Sequence, residues 1–139
     1  MFKEFFAVWS YRLLKDPKIL TISDPKEQLR AAIESMLDIV SKSKGMIILA
    51  YRETKSLRKD YLKDVLAQES NLVEYFEQII RRGIELGRFR KINAALTANS
   101  IVFLFALIPL RGWNFMKTHS EKDAMDFIID FIMTCILEQ

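Results

Sequence analysis

Among its 139 residues the sequence holds one cysteine, Cys135, and one histidine, His119. One thiol can neither close an internal disulfide nor hold a zinc ion alone, which excludes a secreted disulfide scaffold and points to a reducing compartment. One imidazole leaves little material for histidine-based catalysis. With four glycines and three prolines the chain is neither collagen-like nor of low complexity. It lacks a Gly-x-Ser-x-Gly elbow, a phosphate-cradling glycine loop, a His-Glu-x-x-His pair and a Cys-x-x-Cys pair. No enzyme activity, cofactor or metal is therefore expected. Charges at Lys3 and Glu4 interrupt the apolar N-terminal stretch, so no signal peptide is read there. The longest apolar run, Ile101 to Leu110, spans about 15 Å as a helix, half of the ~30 Å a membrane crossing needs. A cytoplasmic chain without membrane contact is the expectation.

What is present is apolar side chain. Half of the residues are hydrophobic against 28% charged, which rules out a disordered chain and suits one compact domain over 1–139. Charge is uneven: residues 1–60 carry +4, 61–92 carry +1 and 93–139 carry −2. A bias of this size describes an ordinary solvated surface.

The pattern is helical throughout, without the period-two alternation of strands. Phe2, Phe5, Phe6, Trp9 and Leu13 predict an amphipathic helix over 2–14, ended by Asp16-Pro17, with 18–23 as linker. Asp24, Pro25 and Glu27 form a helix start of the capping-box type, and that helix runs to about Ser43. A shorter helix covers about 46–54 and a long one 58–87, stopped by Gly87. Asn93 caps a helix to about Gly112, with Pro109 expected to kink or end its last turn. Residues 113–119 connect to a last helix that starts at Ser120, with Asp123 three residues on, and ends near Leu137.

The last two helices carry more apolar surface than one core can use. In the final helix only Asp123, Asp126, Asp130, Thr134 and Glu138 are polar along one narrow arc, leaving an apolar arc of about 200° where a surface helix needs about 100°. In the helix before it, Ala94, Ala98, Ile101, Phe105 and Ile108 lie opposite Leu96, Phe103, Leu107 and Leu110. One face of each is expected on the domain and the other on a second copy, a four-helix interface. Phe103, Leu107, Leu110, Phe127, Ile128, Phe131, Ile132 and Cys135 are the residues expected there, Cys135 as a small buried hydrophobe.

Glu69 breaks the local rule, falling inside the apolar stripe of the long helix between Val65/Leu66 and Leu72/Val73. A buried carboxylate is costly unless paired or hydrogen-bonded. Arg52 or Arg58 meets it, the helix end leaves it in water, or it anchors a polar group in an otherwise apolar pocket. Gly83 and Gly87 lie on the same stripe and suit close packing and a helix stop. His119 reads as an exposed loop residue.

Several strings together resemble a known family. Tyr51-Arg-Glu-Thr-Lys-Ser-Leu leads into Val73-Glu-Tyr-Phe-Glu-Gln-Ile-Ile-Arg-Arg-Gly-Ile-Glu-Leu-Gly-Arg-Phe, followed by Asn93-Ala-Ala-Leu-Thr-Ala, an apolar helix, Trp113-Asn-Phe and a second apolar helix. This resembles the C-terminal regulatory domain of TetR/AcrR-type transcriptional regulators. The resemblance implies an all-α bundle of about six helices, dimerising through the last two, that binds a small apolar effector. It also implies that residues 1–14 connect to a DNA-binding part. The family's helix-turn-helix is not found in these residues, so DNA contact is expected only through a reader absent from them. The ligand-binding residues expected are Met36, Tyr51, Glu69, Phe76, Phe105 and Trp113. The rival reading is a helical protein-interaction module that uses the apolar C-terminal helices on a different partner.

Overall fold

A computed structural model describes residues 13–53 and 59–137. The helix expected over 2–14 therefore falls almost wholly outside the described residues. Seven helices run through them: α1 Pro17–Leu20, α2 Pro25–Lys42, α3 Lys44–Glu53, α4 Lys59–Glu85, α5 Ala94–Leu104, α6 Leu107–Phe115 and α7 Glu121–Ile136.

The starts follow local chemistry. Asp16 accepts a hydrogen bond from the Lys18 N–H at 2.9 Å, and Pro17 supplies a first residue that needs no donor. This makes a short helix out of the stretch expected as a linker. At α2 the Asp24 carboxylate accepts from the Lys26 N–H at 3.3 Å, one residue short of the bond a capping box would make to Glu27. Asn93 accepts from the Leu96 N–H at 2.9 Å. At α7 the full reciprocal box forms: Asp123 N–H donates to Ser120 Oγ and Ser120 N–H to the Asp123 carboxylate, both at 3.0 Å.

The helix expected over 93–112 is two helices bent by 50°. Proline at 109 has no N–H for the carbonyl of Phe105, and its ring crowds that carbonyl. The ladder therefore closes early, through Phe105 N–H to Val102 and Ala106 N–H to Phe103. It restarts at Leu107, with Pro109 in the first turn of α6, where the missing donor costs nothing. Proline acts four residues upstream of its own position, and Trp113 to Phe115 are helical instead of loop.

The long helix ends in a Schellman motif. Gly87 takes φ +72, its N–H bonds the carbonyl of Ile84, and Arg88 N–H bonds that of Gly83. The chain then crosses to the end of α7, where Arg90 N–H bonds the Ile136 carbonyl at 3.0 Å.

α4 packs against α5 and α2; α2 also packs against α7, and α3 against α6. The core between them is Leu29, Ile33, Met36 and Leu37 of α2, Leu72, Phe76 and Ile80 of α4, and Ile128, Ile132 and Ile136 of α7. No single helix among the described residues is long and apolar enough to cross a membrane.

Candidate functional site

Three of the residues expected at the ligand site are part of the buried core. Met36 on α2, Phe76 on α4 and Phe105 just past α5 are all buried, and the rings of Phe76 and Phe105 lie 5.4 Å apart. Tyr75 meets Phe76 edge-on at 5.5 Å. Glu69 lies on the same helix two turns before Phe76. It is half-buried, and burial pushes its carboxyl above the usual carboxylate range. No described cation or hydrogen-bond donor meets it, and Arg52 is exposed.

The other two expected residues stand apart. Tyr51 is on α3, but its side chain lies outside the described residues. Trp113 is 65% exposed, with the Arg111 guanidinium 5.2 Å and the Lys117 ammonium 5.9 Å from its ring. The structure does not bring it to the centre: the bend before α6 turns Ile108, Pro109 and Gly112 inward, and Trp113 falls outside that stripe.

One group in this region was not singled out by sequence. The Tyr75 hydroxyl is buried with no hydrogen-bond partner among the described residues. Burial first, and the negative charge of Asp16 second, push it up to about 12.

The face expected at the dimer interface divides in two. Phe103, Phe127 and Phe131 are 69%, 62% and 48% exposed, and Phe127 and Phe131 stack at 5.8 Å. Leu96 is exposed beside them, and Leu107 and Leu110 are half-buried. Ile128 and Ile132, expected in the interface, point the other way into the core, one helical position from their exposed neighbours. Cys135, expected as a buried hydrophobe, is exposed. His119 is exposed as expected.

Long-range polar ties hold these parts together. Glu121, in the first turn of α7, accepts from Lys44 Nζ at 2.6 Å and from the Ser41 hydroxyl, so the α2–α3 junction grips the start of the last helix. The two hydrogen bonds hold the Glu121 carboxyl below its ordinary value. Arg82 of α4 donates to the carbonyls of Ile22 at 3.3 Å and Ser23 at 2.8 Å and to Gln28 Oε1 at 3.0 Å. Gln28 in turn donates to the Ile19 carbonyl at 3.1 Å. These bonds fix the passage from the N-terminal segment into α2. The partners of Glu121 and of Arg82 lie 54 to 80 residues away in sequence, so no local signal marks them.

Two grooves border the exposed phenylalanines. One of about 270 Å³ runs between α5 and α7, past Leu96, Phe131 and Cys135. The other, of about 460 Å³, lies between α6 and α7 over Leu107, Phe115, Ala124 and Phe127.

Comparison with known proteins joins this architecture to a family. The model of the tetracyclin repressor-like, C-terminal domain matches residues 23–108. The chain belongs to this family. It is the C-terminal domain type of TetR-family transcriptional regulators, an all-α fold. It is 28% identical over 105 residues to the HTH-type transcriptional regulator HbdR of Aromatoleum sp. (strain CIB), covering 76% of this chain and 46% of that protein. The chain thus spans less than half the length of that relative. PfmR of Thermus thermophilus, a TetR-family transcriptional regulator, superposes with a TM-score of 0.79 at 22% identity, over 99% of this chain and 75% of its own. AibR, solved with isovaleryl coenzyme A and operator DNA, superposes at 0.70 with 17% identity, over 91% of this chain and 71% of its own. At these identities the structural likeness is one of fold.

Proposed function

We propose that these residues form the effector-binding and dimerisation half of a TetR-type repressor. The observation that carries the reading is the exposed face of Phe103, Phe127 and Phe131, which nothing else in the described chain covers. Large apolar side chains left exposed on a globular domain, two of them stacked, mark an interaction site. α5 and α7 of two copies, related by a two-fold axis, bury this face as a four-helix interface. Leu107 and Leu110 border it, and Cys135 lies at its edge.

The effector is a small apolar molecule held in the bundle centre by Met36, Phe76 and Phe105. Glu69 orients it. The half-buried Glu69 carboxylate and the core aromatic pair support this placement, as does the isovaleryl coenzyme A held by AibR. Entry of a ligand parts α2 from α4, and the state with those helices parted is the one it favours. A switch requires this difference in affinity, since equal binding to both states shifts nothing. The shift passes through the Arg82 contacts to residues 19–23 and on to the N-terminal segment. In this reading, DNA contact belongs to a helix-turn-helix outside these residues.

Native mass spectrometry of freshly purified protein tests both halves at once. A dimer carrying a small co-purified molecule is expected. A ligand-free monomer, or a complex with a different protein, supports the helical interaction module instead.

A further inference from the structure

The Tyr75 hydroxyl is the one buried side-chain polar atom without a hydrogen-bond partner among the described residues. Such orphans are rare, because a buried donor gives up its bonds to water and gains nothing in return. Neither the effector site nor the dimer face uses this group. Tyr75 also lines a groove of about 550 Å³ between α1 and α4, together with Leu20, Gln28, Ile79 and Arg82.

The chain across this groove is held unevenly. At its far end Arg82 grips the carbonyls of Ile22 and Ser23, and Gln28 holds the Ile19 carbonyl. At its near end stands Asp16. One carboxylate oxygen of Asp16 caps α1 at the Lys18 N–H, and the other has no partner among the described residues. Seven residues separate Asp16 from Ser23, and seven, about 10 Å of helix, separate Tyr75 from Arg82. With Ser23 on Arg82, the Asp16 end falls towards Tyr75, and its charge is felt at the hydroxyl. Leu13 is fully buried and fixes the chain just before. Residues 16–21 thus form a strap anchored on both sides. Only Ile19 of α1 is buried, and Leu20 stands 52% exposed beside the groove.

We propose that this strap has two positions on α4: the open one of this structure, and a closed one in which the Tyr75 hydroxyl donates to the Asp16 carboxylate and Leu20 settles into the groove. A hydrogen bond to a carboxylate belongs to the stronger, charge-assisted class, and Leu20 adds apolar burial. The open position keeps Leu20 and the second Asp16 oxygen in water; the closed one satisfies the hydroxyl. Two such arrangements of one short segment make a switchable element. Residues 16–21 join the N-terminal segment to α2, so the strap sets where that segment leaves the bundle. It needs no ligand to close, and it stands apart from both the effector site and the dimer face.

The test uses the full chain with tyrosine labelled with carbon-13 at Cζ, whose shift reports hydrogen bonding of the phenol. Tyr75→Phe identifies the Tyr75 resonance among the four tyrosines. Asp16→Ser keeps a residue that caps α1 but removes the carboxylate. Wild type is expected to show Tyr75 exchanging between two environments, and Asp16→Ser to leave only the unbonded one. In the same samples, amide exchange at Leu20 and Thr21 should quicken about threefold in either variant and no further in the double variant, the signature of a shared contact. A Tyr75 resonance unmoved by Asp16→Ser overturns the proposal. So does a Tyr75→Phe variant whose strap amides exchange at the wild-type rate, or a double variant in which the two effects multiply.

Discussion

The ring of Phe89 lies directly over Gly83: a Cβ built on residue 83 would come within 2.0 Å of the ring. The approach follows from the Schellman turn, which swings the chain back along α4 after Gly87 and drops Phe89 onto the helix it has just left. The two glycines, four residues apart, therefore serve one turn and one buried side chain.

Gly83→Ala must displace Phe89 from the core, and overpacking of this kind costs about 1–3 kcal/mol. Gly87→Ala leaves the space open but forces a Cβ into the left-handed region at φ +72, at about 1–2 kcal/mol. Urea unfolding is expected to show both losses with unchanged slopes. Gly83→Ala alone should also perturb the contact between Arg90 and Ile136, visible as faster amide exchange at Arg90.

Arg82 secures the entry into α2. In Arg82→Met the buried Gln28 amide oxygen loses its donor and two carbonyls lose theirs. Hydrogen bonds to charged donors contribute about 1.5–3 kcal/mol, and a loss at the lower end is expected here because Ser23 is exposed. Hydrogen exchange should localise the loosening to residues 19–28 while leaving the exchange of α7 unchanged.

Glu121 makes the start of α7 pH-sensitive. Its folded value is depressed by Lys44 and Ser41, so its contribution is present above the ordinary value of 4.5 and is lost as pH falls through the folded value. The pair is partly exposed, which limits the effect to about 0.5–1 kcal/mol after solvent screening. Wild type should lose thermal stability on acidification below pH 4.5 more steeply than Glu121→Gln, and the difference should shrink in high salt.

Glu69 runs in the opposite sense. Its folded value is raised, so the domain is relieved of the penalty below 4.5 and bears it as pH rises through the folded value. Glu69→Gln is expected to raise the melting temperature at pH 7 and to match wild type near pH 4. A carboxylate that costs stability at neutral pH fits a ligand contact, and the same variant should weaken effector-induced stabilisation.

Legibility in the sequence follows the range of the interaction. Asp24, Asn93 and Ser120 mark helix starts because a cap bonds residues two or three positions away. Pro109 is visible, but sequence places its effect at its own position, whereas the broken bond lies at Phe105. The surplus of apolar residues in 93–137 is legible as composition. Its division is not, because Phe127 and Ile128, or Phe131 and Ile132, are adjacent on a wheel, and only the packing of α2 decides which turns inward. The exposure of Cys135 and Trp113 escapes sequence for the same reason. Arg82 and Glu121 leave no trace, since their partners lie far along the chain.

Sedimentation equilibrium of wild type and Phe131→Asp at micromolar concentration tests the central claim most directly. Phe131 is exposed and stacked on Phe127, so a charge there leaves the core of a single copy intact. The account predicts twice the 16.3 kDa chain mass for wild type and the single mass, with unchanged helicity, for the variant. A wild type that sediments as a monomer, or a variant that stays dimeric, would contradict it.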